Sequence, residues 1–384
     1  MADARKVALD ALIRIEQDDA YANLALGAIL ERSKLDERDR RLVTELVYGV
    51  TRMRRACDFL VDRFLLRPLD VPTRNLLRLG AYQLHFMRIP AHAAVSATVA
   101  IAPRKTSGLV NAVLRRVSSS PVEWPDDATR LSYPDWLVQR LVDDLGRDDA
   151  LAALAAMNEA PEVTERADGY VQDRASQWVA AAVGAEAGER VADLCAAPGG
   201  KATALAGTVV ASDVSLTRAG LVRGNAERVG AGTLVVVADA RRPPYAPASF
   251  DRVLVDAPCS GLGVLRRRPD ARWRVDEAAV ARLAVLQREI LERAITLLRP
   301  GGTLVYSVCT LTAAETSTVD EWLAAAHPEL VALPRMGEPW QQRGRGEVLL
   351  PQAAGTDGMA LYRFRLYAAG EASREDRIDR DRRG

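Results

Sequence analysis

The chain has 384 residues and a formal net charge of +1, a length that predicts two or three globular domains. Its hydrophobic fraction of 48% includes no apolar run of about 18 residues, so we expect no membrane-spanning helix. The charged residues 1–10 lack a signal-peptide core, and the four cysteines form no C-x-x-C pair. We therefore expect a cytoplasmic protein with free thiols and no metal site.

Positive charge is concentrated at the start of the chain. Residues 1–120 hold 20 Lys and Arg against 13 Asp and Glu, a net charge of +7. A basic first third suits a partner with a phosphate backbone, although the same charge would also keep a helical domain soluble. Charge favours a nucleic-acid partner here but does not decide the question.

The pattern of residues 1–120 predicts a helical domain. Apolar residues recur at three- and four-residue spacing and build one stripe, in which Cys57 is a core thiol: Val50, Met53, Cys57, Leu60 and Phe64. We expect helices over residues 4–16, 21–32, 36–65, 72–87, 91–102 and 105–117. A linker rich in Ser, Pro and Asp follows at 118–134, and then helices at 135–145, 148–157 and 172–183.

From Arg190 onward, short apolar runs alternate with helical stretches, which is typical of a parallel sheet with helices on both faces. Strands are predicted at 190–194, 208–212, 234–238, 250–255 and 302–307, with helices at 200–206, 216–229, 276–298 and 313–326. Runs at 329–333 and 360–368 are interpreted as edge strands. The chain is thus divided into a helical domain (1–120), a helical connector (121–183), an α/β domain (184–369) and a disordered charged tail (370–384).

A nucleotide-binding loop is predicted where the first strand ends, in DLCAAPGGK at residues 193–201. The spacing fits neither a P-loop nor the G-x-G-x-x-G fingerprint. Four successive strands end in an acid, which should place four carboxylates at the carboxyl edge of the sheet: Asp193, Asp213, Asp239 and Asp256. Asp is also a common helix cap after a strand, but an acid-rich edge suits a nucleoside with a cationic sulfonium and disfavours a diphosphate.

Two cysteines are predicted at the same edge, Cys259 in DAPCSGLG and Cys309 in YSVCTLT. A cysteine at a strand end is usually inert packing, but two of them beside a cofactor loop indicate covalent catalysis. A thiolate that adds to carbon 6 of cytosine makes carbon 5 nucleophilic toward a methyl group. Lys201 is a candidate to favour the thiolate, and Asp256 is a candidate to bind the amino edge of the base.

Basic and aromatic residues that follow the Cys259 motif suit phosphate contacts and base stacking, and a solvated loop before a helix is the alternative. The target base must be unstacked to reach a buried pocket, which favours an RNA loop. The expected RNA-binding residues are Arg218, Arg266, Arg267, Arg268, Arg272 and Trp273.

The motifs DLCAAPGGKAT, DVSLTRAGLVRGN, DAPCSGLGVLRRRPDARW and YSVCTLTAAE resemble those of the bacterial 16S ribosomal RNA cytosine-5 methyltransferases of the RsmB family, also called Sun or Fmu. The first 120 residues are similar to the NusB-like RNA-binding domain of these enzymes. The resemblance implies an all-α NusB-like domain followed by a Rossmann-like class I methyltransferase domain. It also implies S-adenosyl-L-methionine (SAM) as cofactor and a single cytosine of 16S ribosomal RNA as substrate.

The resemblance also implies roles for individual residues. Cys309 is similar to the nucleophile, and Cys259 is similar to the residue that assists product release. The implied cofactor contacts are Cys195, Ala196, Ala197, Pro198, Gly199, Gly200, Lys201, Asp213, Asp239 and Asp256. The chain departs from the family at residues 164–170, which replace a longer stretch that forms a small α/β subdomain in family members.

Two other functions fit the same residues. A transfer RNA cytosine-5 methyltransferase would use the same chemistry on another substrate. A non-catalytic RNA-binding factor for ribosome assembly would keep a degenerate methyltransferase fold, but intact Cys259, Cys309 and strand-end acids argue against it.

Overall fold

A computed structural model describes residues 3–367, and the predicted tail at 370–384 lies outside them. Contacts divide the chain into two units. Unit 1 extends to Gln139 and includes Arg267–Arg274, whereas unit 2 comprises Arg140–Arg266 and the chain from Val275 onward. Within residues 3–367, no helix combines the length and apolar character needed to cross a bilayer.

Unit 1 is built from helices that bury one apolar stripe each. They are α1 (Ala4–Gln17), α2 (Ala22–Arg32), α3 (Glu37–Arg52), α4 (Arg54–Asp62), α5 (Val71–His85), α6 (Ala91–Ala100), α7 (Ser107–Ser119) and α8 (Asp127–Leu131). The boundary between the two units falls within the next helix, α9 (Asp135–Leu145). The side chains of Asp36 and Asp70 cap α3 and α5 by accepting backbone N–H bonds at 2.8 Å.

The prediction of a single helix at 36–65 is wrong, because the helix is interrupted at Met53, between α3 and α4. The Ser132 hydroxyl accepts the backbone N–H groups of Arg55 (3.0 Å) and Ala56 (3.3 Å), which are orphan donors of the first turn of α4. This cap comes from 77 residues away in the sequence, so local periodicity carries no signal of it.

Unit 2 contains a nine-stranded sheet in the order β3-β2-β1-β4-β5-β9-β8-β7, with β6 paired to β9. The strands are β1 (Arg190–Asp193), β2 (Thr208–Asp213), β3 (Leu234–Val237), β4 (Phe250–Asp256), β5 (Leu298–Val308), β6 (Leu330–Ala332), β7 (Gln341–Arg343), β8 (Gly346–Leu349) and β9 (Met359–Leu366). The first five strands pair in parallel, so their carboxyl ends share one edge.

Helices complete both units. They are α10 (Arg147–Ala156), α11 (Arg174–Val183), α12 (Leu216–Val229), α13 (Ala271–Arg274, in unit 1), α14 (Glu277–Leu297), α15 (Ser317–Ala326) and α16 (Pro351–Ala354). The helix predicted at 200–206 is only a 3₁₀ turn at Ala202–Ala204, because Leu205 is already extended toward β2. A second 3₁₀ turn, Ala313–Glu315, precedes α15.

The run predicted as an edge strand at 360–368 is an interior strand. β9 pairs antiparallel with β5 on one side and with β8 on the other. The hairpin of β7 and β8 supplies the outer strands, and its short, charged sequence, QQRGRGEVL, has no strand-like alternation. The sheet is therefore parallel for five strands and antiparallel beyond them.

Candidate active site

Three of the four predicted acids end their strands at the shared carboxyl edge: Asp193 ends β1, Asp213 ends β2 and Asp256 ends β4. Asp239 lies two residues beyond β3 rather than at its end. The charges of Asp193, Asp213 and Asp256 all act on the nearby Cys195. The edge is therefore a concentration of negative charge around the start of the loop at residues 195–201, called the cofactor loop below.

Asp193 is fully buried at the centre of this edge. Its Oδ1 accepts the backbone N–H of Cys195 at 3.4 Å, while Oδ2 has no hydrogen-bond partner among residues 3–367. Burial, followed by the charge of Asp256, raises the pKa of this carboxyl to about 7. A buried carboxyl oxygen without a partner is unusual and indicates a site that a polar ligand completes.

The cofactor loop requires glycine at two positions. Gly199 has φ +106°, and a Cβ there would lie 3.2 Å from the Val222 backbone. A Cβ at Gly200 would lie 3.0 Å from the Gln172 side chain and 3.1 Å from that of Tyr170. Both glycines therefore let the loop pack closely between α12 and residues 170–172.

The shortened segment at 164–170 packs directly on this loop. Arg166 Nη1 donates to the Gly200 carbonyl oxygen at 2.5 Å, and its Nη2 donates to Thr203 Oγ1 at 3.1 Å. The same guanidinium lies 4.7 Å from the ring centre of Tyr170. Sequence analysis missed these contacts, since a lone arginine in a short loop carries no recognisable pattern.

Arginines bind Asp213 and Asp239. Arg218 Nε lies 3.2 Å from Asp213 Oδ2, and its Nη2 donates to the Ala197 carbonyl oxygen at 3.3 Å. Hydrogen bonds from Arg241 lower the pKa of Asp239, which keeps that carboxyl ionised. Arg218 was predicted to contact RNA, but its bonds in the structure go to the cofactor edge.

The two predicted active-site cysteines lie together. Cys259 Sγ is 3.2 Å from Cys309 Sγ, and both thiols are free and partly exposed. The Gly263 N–H donates to the Cys309 carbonyl oxygen at 3.0 Å, and a Cβ at Gly263 would lie 2.2 Å from the Gly358 carbonyl oxygen. The second glycine of DAPCSGLG is thus needed for the loop to close onto the backbone of Cys309.

The surroundings of Cys259 and Cys195 raise the pKa of both thiols. The hydrogen bond with Cys309, followed by burial, raises the pKa of Cys259 well above its ordinary value. Burial and the surrounding carboxylates do the same for the pKa of Cys195. Both groups therefore stay protonated near neutral pH, so Cys259 carries a proton that it can donate to its neighbour.

A lysine completes the cluster. Lys201 Nζ lies 2.7 Å from Asp256 Oδ2, and the Ser307 hydroxyl donates to Asp256 Oδ1 at 3.1 Å. Burial alone would lower the pKa of Lys201, but the charges of Asp256 and Cys309 raise it on balance. Lys201 is therefore an ammonium that Asp256 holds at the same sheet edge.

Two of the six expected RNA-binding residues, Arg266 and Arg272, are buried against protein. Arg266 donates to the carbonyl oxygens of Thr356 and Ala160, both at 3.2 Å. Arg272 is fully buried in unit 1, where its guanidinium lies 3.9 Å from the Tyr133 ring centre. These guanidinium groups have no surface to offer to a phosphate.

The neighbouring residues differ in exposure. Trp273 is partly buried, donates its indole N–H to the Thr51 carbonyl oxygen at 2.7 Å, and has Arg54 5.7 Å from its ring centre. Arg267 is half-buried and Arg268 is exposed. Arg268 is therefore the best-placed of these side chains for a phosphate contact.

Sequence analysis also missed Glu315, a fully buried carboxylate in the 3₁₀ turn after Cys309. It accepts hydrogen bonds from Ser260, the residue after Cys259, whose backbone N–H lies at 2.8 Å, and from Thr312, three residues after Cys309, whose hydroxyl lies at 3.0 Å. Its only sequence signal was a charged residue in the apolar stretch TLTAAE. Within residues 3–367, no group of three or more His, Cys, Asp or Glu side chains is placed to hold a metal ion.

Comparisons with known proteins agree with this geometry. A model of the NusB family matches residues 2–119, and the family described as 16S rRNA methyltransferase RsmB/F matches residues 180–365. The crystal structure of PH0851 shares the fold, with a TM-score of 0.76 and 21% identity, over 95% of this chain and 99% of that one.

Curated relatives extend the match over most of the chain. The probable ribosomal RNA small subunit methyltransferase B of Bacillus subtilis is 32% identical over 439 aligned residues, which cover 94% of this chain and 98% of that protein. A putative methyltransferase of Mycobacterium tuberculosis is 37% identical over 390 residues, which cover 82% and 84%. Both alignments exceed 384 positions, so these relatives contain residues with no counterpart here. The chain belongs to the 16S rRNA methyltransferase RsmB/F family, with a NusB-like helical region followed by a Rossmann-like methyltransferase domain.

Proposed function

We propose that the protein methylates carbon 5 of a cytosine in 16S ribosomal RNA, with SAM as methyl donor and Cys309 as nucleophile. The observation that carries the proposal is the 3.2 Å separation of the Cys259 and Cys309 sulfurs at the edge that also bears the cofactor loop. The names of the family and of the Bacillus subtilis relative support ribosomal RNA as the substrate.

The residues at the sheet edge fit SAM. The partnerless Oδ2 of Asp193 and the close-packed glycines of the cofactor loop support a polar ligand site here, and the nearby carboxylates complement a sulfonium. The cofactor loop, Asp213, Asp239 and Asp256 are the residues that would hold the cofactor. When bound, SAM supplies an electrophilic methyl group.

Cys309 starts the reaction on the base. Lys201, held by Asp256 at 2.7 Å, favours the Cys309 thiolate. The thiolate forms a bond from sulfur to carbon 6 of the cytosine, and the electron pair of the C5–C6 double bond becomes available for a new bond from carbon 5 to the methyl group. Asp256 also accepts a hydrogen bond from the amino edge of the base.

Cys259 acts when the product is released. After methylation, solvent water takes the proton from carbon 5, the electron pair of that C–H bond restores the C5–C6 double bond, and the bond between carbon 6 and Cys309 breaks. The Cys309 sulfur departs as a thiolate, and the protonated Cys259 donates a hydrogen bond to it across 3.2 Å. The family resemblance implies this division of roles, and the raised pKa of Cys259 supports it.

Substitution of each cysteine tests the roles separately. Cys309→Ala should abolish methyl transfer while SAM still binds, and a Cys309→Ala protein that methylates RNA would show that the nucleophile is another group. Cys259→Ala should accumulate a covalent protein–RNA adduct, visible as a shifted band on a denaturing gel. Cys57→Ala is the matched control, because that thiol is fully buried in unit 1.

The substrate is tested by offering purified protein three RNAs: deproteinised 16S RNA, assembled small subunits and transfer RNA. We expect 5-methylcytosine in 16S RNA by mass spectrometry of the digested product. Methylation of transfer RNA alone would favour the second enzyme, and RNA binding without methylation of any of the three would favour a non-catalytic assembly factor.

A further inference from the structure

We propose that Glu315 is a positioning residue that holds the two cysteine loops in the geometry needed for the reaction. The loops are residues 257–263, which carry Cys259, and residues 309–315, which carry Cys309. The inference rests on the function proposed above, because it gives a purpose to the distance between the two sulfurs. Glu315 contacts neither sulfur directly and acts through the residues that follow each cysteine.

Glu315 binds the Cys259 loop through the residue next to the cysteine. Its Oε1 accepts the Ser260 backbone N–H at 2.8 Å, and its Oε2 accepts the Ser260 hydroxyl at 2.5 Å. Gln287 adds a link to the same loop, since its Nε2 donates both to Glu315 Oε1 (3.0 Å) and to the Pro258 carbonyl oxygen (2.9 Å). The residues on both sides of Cys259 are thus tied to one carboxylate.

The Cys309 loop is tied to the same carboxylate. The Thr312 hydroxyl donates to Glu315 Oε2 at 3.0 Å. Thr310, the residue after Cys309, lies 2.9 Å from the Ser260 hydroxyl oxygen. Because the Ser260 hydroxyl gives its proton to Glu315, it accepts from Thr310, and this chain of bonds joins the residues that follow the two cysteines.

A carboxylate is the group that this site requires. Glu315 is fully buried, and four donor groups point at its two oxygens: the backbone N–H and hydroxyl of Ser260, the Gln287 amide and the Thr312 hydroxyl. A glutamine could turn its amide N–H₂ toward the Ser260 N–H and the Gln287 amide, neither of which can accept a hydrogen bond. In the other orientation its N–H₂ faces the two hydroxyls, which must then accept instead of donate, and this reverses the chain of bonds from Ser260 to Thr310. The acceptor-only chemistry of Glu315 therefore matters as much as its size.

The backbone of Glu315 is itself fixed. The Tyr306 hydroxyl, which comes from the interior of β5, donates to the Glu315 carbonyl oxygen at 2.7 Å. Tyr306 is fully buried beneath the two loops. The negative charge of Glu315 is also among the causes that raise the pKa of Cys259, after its hydrogen bond with Cys309 and its burial. The carboxylate thus supports both the position and the protonation of the assisting thiol.

The proposal is tested with Glu315→Gln in the full-length protein, and Asp320→Asn is the matched control. Asp320 is a buried carboxylate on α15 whose partner is Arg345 at 2.8 Å, away from the cysteine loops. The geometric readout is affinity for a trivalent arylarsenical oxide, which binds by exchanging its oxygen for two thiol sulfurs and releasing water. It requires two closely held thiols and neither RNA nor SAM, and Cys309→Ala should abolish this binding.

We expect Glu315→Gln to weaken arsenical binding about tenfold and to lower kcat up to about 100-fold, with KM for RNA and Kd for SAM unchanged. Asp320→Asn should lower the thermal midpoint but leave arsenical affinity and kcat unchanged. Wild-type arsenical affinity in Glu315→Gln, or a loss equal to that of Asp320→Asn, overturns the proposal.

A second variant decides the matter if Glu315→Gln does not fold. Ser260→Ala keeps the backbone N–H bond to Glu315 and removes the hydroxyl that joins it to Thr310. Weaker arsenical binding and a lower kcat at constant KM support the proposal, and unchanged values overturn it. Failure of the proposed function has a different signature, namely methylation by Cys309→Ala, so the two failures are distinguishable.

Discussion

Replacing Asp193 with Asn should stabilise the protein at neutral and alkaline pH. The carboxyl is fully buried, its Oδ2 has no hydrogen-bond partner among residues 3–367, and burial raises its pKa to about 7. Asn has nearly the same shape and can still accept the Cys195 N–H through Oδ1. The substitution therefore removes the charge and little else.

The magnitude follows from linkage between folding and protonation. The unfolded carboxyl has the ordinary pKa of 3.8, and the difference from about 7 corresponds to about 4 kcal/mol at about 1.36 kcal/mol per pKa unit. The folded pKa is the higher one, so Asp193 favours the folded state least at high pH. The free energy of unfolding that the protein loses through ionisation of Asp193 is zero below about pH 4, grows as pH rises toward 7, and is constant above that.

Urea unfolding of wild-type and Asp193→Asn protein between pH 4 and pH 9, without cofactor, measures this effect. The stability advantage of the variant should grow by about 1.4 kcal/mol per pH unit up to about pH 7 and then level off. Asp239→Asn is the control: hydrogen bonds from Arg241 lower the pKa of Asp239, so this carboxyl is ionised in both the folded and the unfolded state above about pH 5. The variant should therefore be less stable than wild type by a nearly constant amount from about pH 5 to pH 9. An advantage of Asp193→Asn that is equal at pH 5 and pH 8 would refute the reasoning.

Three further predictions separate packing from function. Gly263→Ala should lower the free energy of unfolding by about 1–3 kcal/mol in urea, because its Cβ would lie 2.2 Å from the Gly358 carbonyl oxygen; an unchanged midpoint would contradict this. Arg166→Ala should weaken SAM binding about tenfold by calorimetry, since the cofactor loop loses a hydrogen bond, and an unaltered Kd would count against it. Arg272→Ala should lower the free energy of unfolding of unit 1 by about 3 kcal/mol without changing the salt dependence of RNA binding. Arg268→Ala should leave stability unchanged but reduce the slope of log affinity against log salt concentration by about 1. A reduced slope for Arg272→Ala instead would show that Arg272 contacts a phosphate.

Local pattern predicted the elements that depend on local physics. Periodicity placed most helices of unit 1 within a few residues of their observed ends. It missed the break between α3 and α4, where Ser132 caps α4 from a distant position, and it missed the short helix α8 inside the predicted linker. The same limit explains β9, which is interior because of a hairpin whose own sequence is not strand-like. Neither a hydrogen bond from a distant residue nor the identity of a strand's partner can be predicted from the local sequence of the element that it affects.

The buried arginines show how far charge in the sequence can predict a binding surface. Five arginines and a tryptophan in one stretch indicated a nucleic-acid surface, but Arg266 and Arg272 bury their guanidinium groups against carbonyl oxygens and a tyrosine ring. Composition reports which groups are present, whereas burial decides whether solvent or a ligand can reach them. Charge patterning alone cannot separate these two outcomes.

By itself, the sequence determined which motif follows each parallel strand and that β1, β2 and β4 each end in an acid. It also determined that two cysteines lie at one sheet edge, because residues at the carboxyl ends of parallel strands lie at the same edge of the sheet. Only the tertiary structure decided that the sulfurs of Cys259 and Cys309 lie 3.2 Å apart and that Glu315 joins their loops. Those distances depend on contacts between residues about 50 positions apart, which packing of the whole sheet fixes and no local pattern encodes.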